Sequence, residues 1–228
     1  GLPSVVEKNS LHIGAPSAAQ ILAAAHGRAN TFSPLARKGG YFQLSENFTC
    51  EGDVVVDGIL FLKGAKIQTT RGCRIYATAS VFIEGAPQLI GAFDDRNLQI
   101  VSSRAVLMGL GRCGSFDSVT NRFKQRGSFV TRGGLSASDS AAQIIADSQK
   151  ISDLRDIDCS AYGASQSFER ILINAPQIHS RYLGKFKGTA IAEIAIFKLE
   201  DLVFEYDPVF ERVPALSLTG PDLSLKIE

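Results

Sequence analysis

Short apolar runs of β-favouring residues recur along this chain, each broken by small residues and followed by a second run that ends on glycine or a charge. Val54-Val55-Val56-Asp57-Gly58 leads into Ile59-Leu60-Phe61-Leu62-Lys63-Gly64, and Arg74-Ile75-Tyr76-Ala77-Thr78 leads into Val81-Phe82-Ile83-Glu84-Gly85. Leu98-Gln99-Ile100-Val101-Ser102 into Val106-Leu107-Met108-Gly109 is a third copy, and Arg170-Ile171-Leu172-Ile173-Asn174 into Gln177-Ile178-His179-Ser180 a fourth. Ile191 to Phe197 running into Leu202-Val203-Phe204-Glu205-Tyr206 is read as a fifth. Where copies follow directly, the step is roughly 19–25 residues, the period of a solenoid whose units bury their apolar faces by stacking.

The in/out alternation slips phase at Gly58, Ala79-Ser80 and Ser102-Ser103-Arg104. Strict alternation followed by a slip means that the chain turns a corner and begins another face. A hairpin meander would place Asn-Gly or Asp-Gly pairs between its strands, and Asp57-Gly58 is the one such pair in these runs. The fold expected is therefore all-β: a short parallel β-helix, right-handed by the general rule for parallel crossovers. A β-sandwich is the alternative.

A single domain over 1–228 is expected, divided at the points where the pattern changes. Residues 1–40 form an N-terminal cap, because Pro16-Ser17-Ala18-Ala19-Gln20 reads as a helix start with capping-box spacing and Gly27 as its stop. Such a helix would cover the open strand edges of the first rung. Residues 41–111 carry the first coils and 112–169 an insertion. Within that insertion Ser140 to Leu154 reads as an amphipathic helix, with Ser140 and Gln143 as a possible capping box and Ile144, Ile145, Ile151 and Leu154 turned inward. An insertion of that length is either a functional lid or a passive flap. Residues 170–208 resume the coils, and 209–228 form a proline-punctuated tail.

Composition narrows the class. The 228 residues include 45% hydrophobic and 21% charged side chains, as in an ordinary folded domain. The 24 basic and 23 acidic residues nearly cancel, so no field recruits nucleic acid. No apolar run is long enough for a transmembrane segment. Met108 is the only methionine, so Gly1 follows a removed signal peptide or begins a fragment. Four cysteines, an even number, suit an oxidising compartment, and export to the periplasm, outer surface or medium is expected; a cytoplasmic location stays open.

Cys50 and Cys73 lie one coil apart at similar places before a β run, so a disulfide between them is expected, with a stacked pair of free thiols as the alternative. Cys113 and Cys159 bracket the insertion and form a weaker candidate pair. His12, His26 and His179 are scattered and no cysteines have zinc-finger spacing, so no metal is expected. No phosphate loop, dinucleotide fingerprint or nucleophile elbow is present, and no cofactor is expected. The densest polar constellation is Gln177, His179, Arg181 and Tyr182, with Lys185 and Lys187 beyond and Glu205, Tyr206 and Asp207 one coil later. Stacking would set His179 and Arg181 beside those acidic groups. As catalytic candidates, His179, Arg181 and Asp207 could serve acid–base chemistry. As a binding face, Gln177, His179, Arg181, Tyr182 and Glu205 could meet a ligand. The plain reading is an outward polar face held by cross-strand pairs.

The runs Gly52-Asp53-Val54-Val55-Val56-Asp57-Gly58 and Ser80-Val81-Phe82-Ile83-Glu84-Gly85 resemble the rungs of single-chain parallel β-helices, in particular bactofilins and more distantly pectin-lyase-like folds. The first resemblance implies a cofactor-free, self-assembling scaffold; the second implies carbohydrate processing, although no catalytic residue of that class maps onto this chain. The cysteines, the insertion and the N-terminal helix depart from the bactofilin pattern. The function expected is that of a non-enzymatic structural or binding protein of a bacterial envelope or surface. It would present a stacked β face to a protein or glycan partner, or to further copies of itself. The alternative is a polysaccharide lyase or glycoside hydrolase.

Overall fold

The structure is a computed structural model that describes residues 15–85, 88–92, 97–108, 116–117, 122–123, 139–151, 167–180, 184–197 and 202–205. It is mostly β, with two large curled sheets. In chain order the elements are α1 (Ala18–Ala25), β1 (Ala36–Lys38), β2 (Tyr41–Leu44), β3 (Phe48–Thr49), β4 (Gly52–Val56), β5 (Leu60–Lys63), β6 (Lys66–Gln68), β7 (Cys73–Ala77), β8 (Val81–Glu84), β9 (Gln88–Ile90), β10 (Leu98–Ser102) and β11 (Ala105–Met108). There follow β12 (Phe116–Asp117), β13 (Arg122–Phe123), α2 (Asp139–Lys150), β14 (Ser167–Asn174), β15 (Gln177–Ser180), β16 (Gly184–Ile191), β17 (Ile194–Phe197) and β18 (Leu202–Glu205).

The first sheet has seven strands in the order β1-β2-β5-β8-β11-β15-β17. Only β1 runs antiparallel to its neighbour; the rest pair in parallel, so Phe42, Leu60, Val81, Val106, Ile178 and Ala195 fall on one register line. The second sheet has two limbs, β3-β6-β9 and β4-β7-β10, which meet on β14. Ser167–Glu169 of β14 pair with β9, while the rest of β14 pairs with β10, from Leu98↔Ile171 to Val101↔Asn174. The chain thus visits the first sheet, one limb and then the other on each pass. Parallel pairing across every pass is what a hairpin-built β-sandwich lacks.

Inward residues from all three walls form one core. Leu60, Val81, Val106 and Ile178 from the first sheet meet Ile67 and Leu89 from one limb and Val54, Ile75, Ile100 and Ile173 from the other. The corners are stitched by short polar side chains that reach one pass along. The Glu51 carboxylate accepts hydrogen bonds from the Thr70 and Arg71 amides at 3.0 and 2.9 Å and from both threonine hydroxyls of Thr69-Thr70. Asn47 Oδ1 accepts from the Lys66 amide, Thr78 Oγ1 donates to Asp57, and Ser103 Oγ donates to the Thr78 carbonyl. Those to the Lys66, Thr70 and Arg71 amides and the Thr78 carbonyl occupy corner backbone groups outside the ladders.

Several elements differ from expectation. Helix α1 carries the Ser17–Gln20 capping box, but it lies on the flank of the second sheet, where Ile21 and Ala25 cover Val55, Tyr76 and Val101. The end of the first rung is covered instead by β1 and by Phe32 and Leu35, which pack on the core. The helix has an apolar stripe, and a flank of the sheet offers more apolar area to cover than a strand edge does. Helix α2 begins at Asp139, so Ser140 stands inside the first turn rather than at its cap, and it ends at Lys150; Leu154 lies outside the described residues. The later passes begin at Ser167 rather than at 170. The run from Ile191 to Phe197 is divided, since Ile191 ends β16 in the second sheet and Ile194 begins β17 in the first. Glu193, the one charged residue in the run, falls at the corner between the two strands.

Candidate functional site

Three outward flanks result from this architecture, and their occupants differ. On the first sheet the outward columns are Tyr41, Ile59, Ser80, Ala105 and Gln177 and, beside them, Gln43, Phe61, Phe82, Leu107 and His179. Most of these are apolar, and they form a second buried cluster with Ile144 of α2 and Ile151 just after it. The insertion helix is therefore packed onto this flank. Asp147, itself buried, fixes it: its carboxylate pairs with Arg104 at 2.5 Å and accepts from the Ser80 amide at 3.2 Å. The second flank is the one under α1, where Arg74 donates to both carboxylate oxygens of Asp53 at 2.6 and 3.0 Å. A cavity of about 300 Å³ beside it is lined by Arg28, Thr31, Asp53 and Tyr76. Burial pushes the Tyr76 hydroxyl up to about 12, so it stays protonated there.

The third flank belongs to the limb β3-β6-β9-β14. Its outward line runs Thr49, Gln68, Ile90, Glu169 and Lys187, and Glu205 stands next in register. Thr49 and Gln68 are exposed and joined by a 3.3 Å hydrogen bond, while Ile90, Glu169 and Lys187 are half-buried. Among the described residues no helix covers this flank.

His179 and Gln177 lie on the first flank, not on the open one. His179 is 1% exposed, stands between Leu107 and Ile196 in register, and its Nε2 is 3.4 Å from Gln177 Oε1. Burial lowers its pKa to about 4, so it is neutral at pH 7 and a weak base. Glu205 pairs in register with Lys187 in the other sheet, so it is not the cross-strand neighbour of His179. The juxtaposition expected from the sequence assumed that Glu205 follows His179 on the same wall. The chain changes sheet three times between the two residues, from β15 to β16, to β17 and to β18, so Glu205 comes to the other wall. Arg181, Tyr182, Asp207, Cys113 and Cys159 lie outside the described residues. Cys50 and Cys73 form a buried disulfide with a Cα–Cα distance of 5.5 Å. Among the described residues no three His, Cys, Asp or Glu side chains gather to hold a metal ion. No helix among them is long and apolar enough to cross a membrane.

The Arg104–Asp147 pair and the open polar ladder were not singled out in the sequence. The ladder had a signal, because Thr49, Gln68 and Ile90 each occupy the same place after an apolar residue of its rung. The pair had none, since its members come from separate segments. Compared with known family models, curated proteins and solved structures, the chain matches none.

Proposed function

We propose that this chain is a short right-handed parallel β-helix that serves as an exported, non-enzymatic binding or structural protein. Its third flank, from Thr49 through Gln68, Ile90, Glu169 and Lys187, is the face offered to a partner protein. The observation that carries this reading is the occupancy of the flanks: the chain's own helices cover two, and among the described residues no helix covers the third, a ladder of polar, apolar and charged residues. A protein suits it better than a glycan. Mixed charges such as Glu169 beside Lys187 favour a surface of complementary potential, and the ladder has no aromatic ring to stack on a sugar. The Cys50–Cys73 disulfide supports an oxidising setting such as a bacterial envelope or cell surface. The lyase or hydrolase reading has less support, because a general base works best with a pKa near the operating pH and His179 is held near 4.

The test places a photo-crosslinking residue at Gln68 or, as a control, at exposed Ala19 on α1, and exposes each protein to cell-envelope extract. A partner captured from Gln68 alone, and lost in Ile90→Arg, is the expected result. Equal capture from both positions, or turnover of a polysaccharide by the purified chain, overturns the proposal.

A further inference from the structure

We infer that residues 28–38 are a plug that closes the first rung against the addition of a second copy of this chain. A parallel stack ends in rows of unpaired N–H and C=O groups and an open core, which invite another strand. Here three contacts close that end. The Asn30 amide donates to the Val55 carbonyl at 2.8 Å, and Asn30 Oδ1 accepts from the Asp57 amide at 2.9 Å, so one residue serves the edge of β4 as the missing rung would. Asn30 achieves this in the left-handed region, with φ 59°, a conformation that asparagine tolerates better than most residues. Phe32 and Leu35 lie over the core opening, with the Phe32 ring 5.3 Å from that of Phe48.

The edge of β2 is taken by β1, through Ala36↔Gln43, Arg37↔Phe42 and Lys38↔Tyr41. The new edge that β1 creates is three residues long, exposed, and carries Arg37 and Lys38. Short length and like charge both oppose strand addition by an identical molecule. The inference rests on the stacked-rung reading and is independent of what binds the Thr49–Lys187 flank. It restricts any self-assembly of this chain to surfaces other than the first rung.

Two variants test it by sedimentation velocity over a range of concentrations, with amide exchange and circular dichroism as checks on the fold. Asn30→Ala with Phe32→Ala should exchange the Asp57 amide several-fold faster than wild type and add a larger, concentration-dependent species. Arg37→Thr with Lys38→Thr leaves the plug seated but removes its charges, and should give the same larger species more weakly. Should the first variant fail to fold, the second decides. Wild-type protein that itself crosslinks between copies through residues 48–57, or folded variants whose species match wild type at every concentration, would overturn the inference.

Discussion

A β-carbon placed on Gly91 would stand 2.1 Å from the carbonyl oxygen of Arg170, one pass along the stack. Arg170 has φ 54° and sits at the register shift between Glu169 and Ile171, a bulge that lets β14 span both limbs of the second sheet. Its guanidinium donates to the Gly91 carbonyl at 2.8 Å, which ties the bulge to the pass beneath it. On the other side a β-carbon on Gly188 would stand 2.1 Å from the Ile171 carbonyl oxygen. The bulge is held between two backbones that leave no room for a side chain.

Gly91→Ala and Gly188→Ala should each destabilise by roughly 3 kcal/mol, the upper end of what overpacking costs. Gly64 offers a control: its φ is +63° but nothing lies within 4 Å of an added β-carbon, so Gly64→Ala should cost only about 1–2 kcal/mol. Urea midpoints order the three. Equal midpoints for Gly91→Ala and Gly64→Ala would mean that the two passes are not in the contact described.

Asp147→Ala should release α2 from the first flank. The substitution strips a buried carboxylate from Arg104 and from the Ser80 amide, and about 2 kcal/mol should be lost, less than for a fully buried pair because the Arg104 side chain is 27% exposed. Amide exchange across 144–151 should accelerate well before the strands respond. A helix that stays as protected as in wild type would show that Ile144 and Ile151 suffice to hold it.

Stability should fall on acidification between about pH 6.5 and 4. His179 binds a proton near 6.5 when unfolded but only near 4 when folded, so the unfolded state holds more protons within that window. Its contribution is complete above the window and shrinks by about 3 kcal/mol across it. His179→Gln should flatten that part of the profile. Glu51 acts in the same direction at lower pH, since its hydrogen bonds from Thr70, then those from Arg71 and Thr69, keep its carboxyl below the ordinary value. A profile unchanged by His179→Gln would contradict the burial of the ring.

Reduction, or the double substitution Cys50→Ala with Cys73→Ala, should lower stability by about 3 kcal/mol, as expected for closing a loop with a sequence separation of 23. The effect belongs mostly to the unfolded chain, so the spectrum of the folded state should barely change. Unaltered thermal midpoints with and without reductant would show that the bond does not form in solution.

The sequence determined by itself the features that repeat at short range. Alternating β runs marked the strands, phase slips at Gly58 and Ser102-Ser103 marked the corners, and the Ser17–Gln20 spacing started α1. Cysteine spacing brought Cys50 and Cys73 onto neighbouring passes. Tertiary structure alone decided what lies outside each wall. Alternation says that His179 points away from the core, yet that direction leads to solvent or to burial depending on which distant segment folds over it, and here it is buried beside the flank that α2 covers. Likewise only the stack shows that Glu205 belongs to the wall of Lys187 and that Gly91 must pass beneath Arg170. Side-chain direction within a strand is a local property of the backbone, whereas exposure depends on contacts between residues far apart in the chain, and a period-2 pattern carries no record of them.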